Sequence, residues 1–578
     1  VGSLLASMGG MAPPPPAAPI TISDGTSGAF LVWHDQPYRQ YKATIRAQHI
    51  DKNGNLLWST EGFQITGDGV RPPQAISDGS GGLIIAWSHD KGSNITRLSP
   101  DGNSVWLLEN IPSRSLLAMA EDISGGALLL FSRDDVLHAL RISNDGLFSW
   151  GQEGIVVGIA EYPHRGVSIT SDGCGGTVVI WQDGIDTPVR ILAQRINSQG
   201  KILWTDGGVV LTTIPNSFGN VVHTHVITDR MGNIFVAWDT ETTMSGALDN
   251  DVYVQKLDSD GNKQWGEAGI PPCRDKGVDP YGPSNIQSHP QMAPDGEGGV
   301  IVTWHDRRRI FNREIFAQRI NSAGEIMWDA NGIWLWDIPS DYPKTSGILD
   351  SCVIDDGTGG AIILWTGHGE YRNYTTFIQK LDNDGERQWS NEIVYSNPAF
   401  QSQGYSSITS DGQGGVIVGS RTGESSSLSQ TDSVYAQRIS ADGAQMWNES
   451  GVEIHKVPTA KTVILVTIVA LLTAIPVFVG VLRDNKIARV LTAILPVLLG
   501  IAGLFSLFLV TGFLGSTYSW AYTPDTVINK LLTVLVPFTG MVIATVGIRR
   551  KAVTKWVMVP VLVFCVLITA ISGILLIG

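Results

Sequence analysis

Residues 295–328 read DGEGGVIVTWHDRRRIFNREIFAQRINSAGEIMW. Asp295–Gly299 has the chemistry of a tight turn, because glycine supplies positive φ and aspartate bonds back to nearby amides. Val300–Trp304 then reads as a buried strand and Glu314–Ile320 as the next one. Asn321–Gly324 is a second turn, followed by a strand through Trp328. With His289–Ala293 leading into the first turn, the unit holds four short antiparallel strands.

The same unit recurs along the chain. An Asp-containing turn is followed nine residues later by a large apolar anchor at Asp24/Trp33, Asp78/Trp87, Asp122/Phe131, Asp172/Trp181, Asp229/Trp238, Asp295/Trp304 and Asp356/Trp365. A final copy, Asp411/Ser420, has lost the anchor. A glycine precedes tryptophan by four at Trp58, Trp106, Trp150, Trp204, Trp265, Trp328, Trp389 and Trp447. Fourteen of the 18 tryptophans occupy these two positions, so chance does not explain the pattern.

Eight four-stranded units over residues 20–458 predict an all-β eight-bladed propeller, with tryptophan filling the wedge between twisted sheets. An open β-solenoid and two smaller propellers are the other arrangements. Counting whole units from Ile20 to Ile454 predicts that the first and last blades meet without exchanging a strand. Strand alternation puts both fixed-length turns at one end of each blade. All variation in length then falls at the opposite end, in the B–C and D–A connections.

The segments Lys256–Trp265 (KLDSDGNKQW) and Arg195–Trp204 (RINSQGKILW) resemble the tryptophan-docking repeat of the eight-bladed quinoprotein propellers. The Asp-containing turn is similar to the Asp-box of sialidase-like propellers. Both resemblances imply the fold only. No quinoprotein cofactor or metal position, and no sialidase arginine triad, carries over to this chain.

Composition divides the chain. Residues 459–578 carry nine basic and two acidic side chains, a charge of +7, whereas residues 1–458 carry −21. Four apolar stretches, 463–482, 487–513, 527–548 and 556–577, are each long enough to span a bilayer. They predict an all-α four-helix transmembrane domain over 459–578. Arg483 and Lys486 lie between the first two spans, with Arg489 at the adjoining edge of the second, and Arg549, Arg550, Lys551 and Lys555 lie between the last two. The positive-inside rule puts both loops in the cytoplasm, and the propeller and C-terminus outside. No span has an ionisable residue at its middle, which favours anchoring over transport. Residues 1–19 read as a tail or the remnant of an export signal.

Much of the apparent site chemistry is scaffold. The glycine-rich turns lack the lysine and helix of a phosphate loop. No cofactor or metal centre is expected; calcium at the acidic turns is the one candidate, although no copy has a spaced series of oxygens. Asp35, Asp90, Asp183, Asp239 and Asp306 follow strand B on the variable end, joined by His34, His89, His305 and Arg307. That ring could take a polar ligand or cation; the plainer reading is strand capping through neighbouring amides. Long inserts at 270–287 and 333–351 offer Trp334 and Trp336 as interface anchors or as a cover for the channel mouth. Thr240–Asp251 reads as a polar, flexible connection.

His223 and His225 share a strand face but have no third ligand defined by spacing, so a structural pair is favoured over a metal pair. Cys273 and Cys352 are the candidate disulfide, and Asn94, Asn373 and Asn448 head glycosylation sequons. No catalytic constellation is visible.

These observations exclude a disordered chain, a disulfide scaffold and a basic nucleic-acid binder. They favour a membrane-anchored, cell-surface propeller acting as a structural or protein-interaction subunit of an envelope or membrane complex, with lipid, a protein and possible glycan contacts but no nucleic acid. An extracellular carbohydrate hydrolase using loop-face carboxylates and an auxiliary transporter or channel subunit are the alternatives.

Overall fold

The computed structural model describes residues 18–456 apart from short stretches, the longer of which are 36–43, 67–71, 161–165, 215–222, 275–286, 309–313, 336–347, 369–373, 396–402 and 423–432. Residues 1–17 and 457–578, including the expected membrane domain, lie outside the described residues. No helix among the described residues is long and apolar enough to cross a membrane.

The chain forms eight antiparallel sheets, each built from consecutive strands, in an eight-bladed β-propeller. Blade 1 comprises strands A (Ile20–Ser23), B (Ala29–Asp35), C (Thr44–Ile50) and D (Phe63–Thr66). Blade 6, which contains residues 295–328, comprises Gln287–Pro294, Val300–Asp306, Glu314–Ile320 and Ile333–Trp334. Strand A of every blade touches strand A of the blades on either side, and that of blade 8 touches that of blade 1. The eight A strands therefore form the inner ring.

Each seam between blades has its own apolar core. Between blades 5 and 6 that core includes Trp265 from one blade and Trp304 from the next. The same combination recurs as Trp58 with Trp87, Trp150 with Trp181, Trp204 with Trp238, Trp328 with Trp365, and Trp447 with Trp33. Between blades 2 and 3, Trp106 meets Phe131. Both tryptophan series are thus wedges, as their spacing implied. At the seam of blades 7 and 8, Trp389 stands without a second tryptophan, because blade 8 carries buried Ser420 at the anchor position.

The sequence reading gave both series one role, and the structure separates them. Trp87 and Trp181, in strand B of blades 2 and 4, are only 3% and 1% exposed, so neither offers a surface to a ligand or partner. Two glycines clasp Trp181, Gly158 of blade 3 and Gly208 of its own blade; a Cβ added at either would lie 2.6 Å from the indole. Its Nε1 is buried without a hydrogen-bond partner among the described residues, as are those of Trp33, Trp238 and Trp365. The second series instead keeps its indole donor satisfied across the seam. Trp58 Nε1 donates to the Pro100 carbonyl at 2.9 Å and Trp150 Nε1 to the Ser198 carbonyl at 3.1 Å. Apart from Trp304, whose Nε1 donates to Asp306 within its own blade, volume is what these strand-B positions use, whereas volume and the N–H together select tryptophan at the other.

The glycine of each C–D turn docks against the tryptophan of the preceding blade. At Gly324 (φ +85°) an added Cβ would lie 2.9 Å from Trp265 Cδ1, so backbone conformation and space both require glycine. The last contact closes the wheel. Gly54 packs on Trp447, whose Nε1 donates to the Lys52 carbonyl at 3.1 Å. Thr21 and Ser407 share a 2.7 Å hydroxyl bond across this seam. Blades 1 and 8 each retain all their own strands, so closure needs no strand exchange.

Three further sequence expectations require correction. In seven blades the fourth position holds a strand, but in blade 5 it is reduced to a bridge between Val254 and Ile270. In blade 6 the chain does not run as a strand through Trp328: a one-residue bridge at Ile326 precedes it, and strand D begins at Ile333. At this jog a strand-C side chain, Gln318, accepts from the Trp328 amide and donates to the Asp329 carbonyl. Thr240–Asp251 is not an open loop either. Strands B (Ile234–Met244) and C (Ala247–Leu257) of blade 5 pair continuously up to Met244 and Ala247.

Candidate functional site

At the turn end, side chains are consumed by the scaffold. Asp295 Oδ1 accepts from the amides of Glu297 (2.9 Å) and Gly299 (2.7 Å), and Oδ2 takes Arg319 Nε at 3.0 Å. Arg319 also donates to the Asn383 carbonyl of blade 7, the group that accepts Trp328 Nε1. Asp78 with Arg97, Asp122 with Arg141, Asp172 with Arg195, Asp356 with Lys380 and Asp411 with Arg438 repeat the ion pair. Blade 1 uses His49 on Asp24 at 3.0 Å. Burial raises the Asp24 pKa, but bonds from His49, Thr26 and Gly28 outweigh it and bring the group down to about 2.

The loop-end ring expected from sequence is mostly dispersed into local contacts. Asp183 pairs with Arg190 of the adjoining strand. Asp306 accepts from Trp304 Nε1 (2.9 Å), the Arg308 amide (2.8 Å) and Arg308 Nε (2.9 Å), so it caps its strand as the plainer reading held. Arg307 is half-buried next to them. His34 is buried, and its carbonyl accepts Arg421 Nη1 at 2.6 Å across the closing seam. His89 Nε2 donates to Asn94 Oδ1 at 3.1 Å, while its Nδ1 accepts the Lys91 amide. The side chain of Asp35 and the whole of Asp90 lie outside the described residues.

Asp239 is the exception. It is buried in strand B of blade 5, with Oδ2 at 2.7 Å from His223 Nδ1 and Oδ1 accepting the His223 amide at 2.7 Å. Oδ2 also accepts the amide of His289, in strand A of blade 6, at 3.2 Å. The rings of His223 and His289 stack with centroids 3.7 Å apart, and His289 stacks on His305 at 4.8 Å. His305 Nε2 lies 3.2 Å from Ser351 Oγ of blade 7. Three imidazoles, a carboxylate and a hydroxyl are thereby gathered across blades 5, 6 and 7.

A bulge makes this possible. The pairing of strands A and B in blade 6 shifts between Ser288 and Gln291, and His289 sits there at φ +57° immediately before Pro290. Positive φ is uncommon outside glycine, although histidine adopts it more readily than most residues, and the position before proline disfavours helical conformations. Such strain persists where surrounding structure over-determines it and clusters at functional sites.

His223 and His225 do not act as a pair. His225 Nδ1 accepts the Met292 amide of blade 6 at 3.0 Å, and burial pulls its pKa down to about 4, leaving it a neutral structural group. The partners of His223 are 16 and 66 residues downstream. No spacing rule points to them; a histidine–proline step beside a strand was the only local signal.

The proposed disulfide is absent. Cys273 and Cys352 are not joined to each other and neither is part of a disulfide. Cys273 is buried in the core between blades 5 and 6, and Cys352 packs against the core between blades 7 and 8. Burial, and then the charge of Asp350, push the Cys352 thiol up to about 12. Trp334 is not an exposed anchor but packs against the cores on both sides of blade 6. Trp336 lies outside the described residues, as does Asn373. Of the other sequons, Asn448 is exposed, whereas Asn94 Oδ1 is engaged by His89 and the Asn110 amide.

No family model matches the chain, and no curated protein matches it. Among solved structures it is similar to the dihydro-heme d1 dehydrogenase NirN in complex with DHE: 14% identity, covering 77% of this chain and 76% of that one, with a TM-score of 0.37. Virginiamycin B lyase from Staphylococcus aureus gives 14% identity over 59% of this chain and 88% of that one, at 0.30. A thermostable family-43 glycoside hydrolase gives 12% over 47% and 90%, at 0.27.

Proposed function

We propose that this chain is a membrane-tethered, extracytoplasmic propeller that works as a binding subunit, its loop face over blades 5–7 meeting a protein partner. The observation that carries the reading is the division of labour between the two ends. The turn end repeats one set of internal bonds, whereas the loop end holds the length variation and the polar cluster around Asp239. The apolar spans within 459–578 supply the tether, and the basic loops at 483–489 and 549–555 its orientation. The −21 charge of residues 1–458 disfavours DNA or anionic lipid as the ligand of this face.

The test is purification of the full chain in mild detergent with identification of co-migrating proteins, beside a variant in which 275–286 is replaced by a short Gly/Ser linker. A stoichiometric partner that is lost from the variant supports the proposal. An isolated chain that cleaves members of a glycan panel overturns it in favour of the hydrolase reading. Accessibility labelling that places the propeller on the same side as Arg549–Lys551 overturns the topology.

A further inference from the structure

His223, Asp239 and His289 each offer one ligand-capable atom, and these atoms lie within 4.8 Å of one another. We propose that this trio is a divalent transition-metal site of the zinc class, built across the seam of blades 5 and 6.

Two imidazoles and one carboxylate form the donor set that zinc and its neighbours favour, with three protein ligands leaving a position for water or an exogenous group. Calcium and magnesium require a shell of oxygens that this set does not supply. Asp239 is 2% exposed, so its charge is held in a desolvated setting that rewards a fixed cation. Supporting contacts are also in place. Ser288 Oγ lies 3.1 Å from His289 Nδ1, the kind of outer bond that fixes the tautomer and orientation of a metal-ligating histidine. His305 stacks on the other side of the His289 ring and is itself tied to Ser351.

The backbone gives the second, independent observation. His289 reaches the cluster only because the bulge places it in the left-handed region ahead of Pro290. A residue with only a packing role could occupy a regular strand position at no such cost. The bulge re-aims one side chain onto a neighbour from another blade. The inference stands whether or not the loop face meets a protein partner.

Full-length protein in mild detergent is stripped with a chelator and titrated with Zn²⁺ by calorimetry and with Co²⁺ by visible absorption. One equivalent is expected to bind, with the intense d–d absorption of a low-coordinate cobalt centre. Loss of even an outer-shell partner commonly weakens metal affinity 10–100-fold, so His223→Ala and His289→Asn are each expected to weaken binding by more than about 100-fold. Asparagine is chosen at 289 because it tolerates positive φ. His89→Ala, at the loop end of blade 2, is expected to leave binding unchanged. Hyperfine-shifted proton resonances of the cobalt-loaded wild type provide a readout that needs no variant, and imidazole N–H signals are expected among them. Absence of stoichiometric zinc and cobalt uptake overturns the proposal, as does uptake that survives both substitutions or a cobalt spectrum without histidine signals.

Discussion

The two ends of the wheel use similar residues for different ends. At the turn end a buried aspartate meets a basic side chain from strand C in seven of the eight blades, an arginine or lysine in six and His49 in blade 1, and the partner is always local. At the loop end of blades 5 and 6 a buried aspartate meets two histidines, one from another blade, and no other blade copies the arrangement among the described residues. Repetition marks what holds the wheel together, and departure from repetition marks the candidate site. Blade 5 illustrates the exchange. There Lys256 does not pair with the turn aspartate but donates to the Gly298 carbonyl, while Asp229 takes the side chain of Asn233.

The sharpest way to break the comparison is to truncate one group from each set. Trp304 is fully buried at the seam of blades 5 and 6, so Trp304→Ala is expected to cost about 3–5 kcal/mol in chemical unfolding of the full chain. His289→Asn removes a side chain from a strained backbone and is expected to change stability by less than about 1 kcal/mol. Equal losses would mean that the histidine cluster is as structural as the wedges.

A smaller effect separates the ends by pH. Asp24 is held down to about 2, so its stabilising contribution is complete above the unfolded value near 3.8 and disappears as pH falls through 2. That amounts to about 2.5 kcal/mol, and Asp24→Asn is expected to flatten this part of the profile. Asp350, toward the loop end of strand A in blade 7 (Ile348–Asp355), behaves oppositely. Burial pushes it up to about 6 despite the bond from the Ser351 amide. Its favourable contribution is complete below 3.8 and is lost as pH rises through 6. Asp350→Asn is therefore expected to stabilise the protein at pH 7, by up to about 3 kcal/mol, and to have little effect at pH 4. Unfolding free energies across pH 2–8 for both variants check the two signs.

The fold was legible because each seam repeats the same contact at the same offset. Gly324 four residues before Trp328 is a visible spacing, although the docking it reports is between Gly324 and Trp265 of the preceding blade. Any constant contact between equivalent positions produces a constant spacing. The candidate site was illegible for the complementary reason. His289 reaches His223 through an inter-blade register and a bulge that breaks strand alternation, and neither leaves a period in the sequence. The disulfide failed similarly: the cysteines are 79 residues apart with no spacing that relates them, and the blades carry them into separate cores.

The smallest effect concerns a scaffold residue outside both tryptophan spacings. Gln318 is fully buried in strand C. Its Oε1 accepts the amides of Arg319 (2.9 Å) and Trp328 (3.0 Å), and its Nε2 donates to the Asp329 carbonyl at 2.6 Å. Gln48, Gln194, Gln255 and Gln437 make the same bridge to the residue after their own tryptophan. Blade 3 has Leu140 at this position, buried in the core it shares with blade 2, so the site accepts an apolar side chain of similar length. Gln318→Leu therefore keeps volume while removing three backbone partners, and a loss of about 1–3 kcal/mol in urea unfolding is expected. The reverse change, Leu140→Gln, trades apolar burial for the bridge and is expected to stay within about 1 kcal/mol of the parent. If Gln318→Leu costs nothing, the jog before strand D is held by tryptophan packing alone, and the glutamine is a passenger of the repeat. If the loss is as expected, the turn end owes its uniformity to a hydrogen-bonded brace as well as to its wedges.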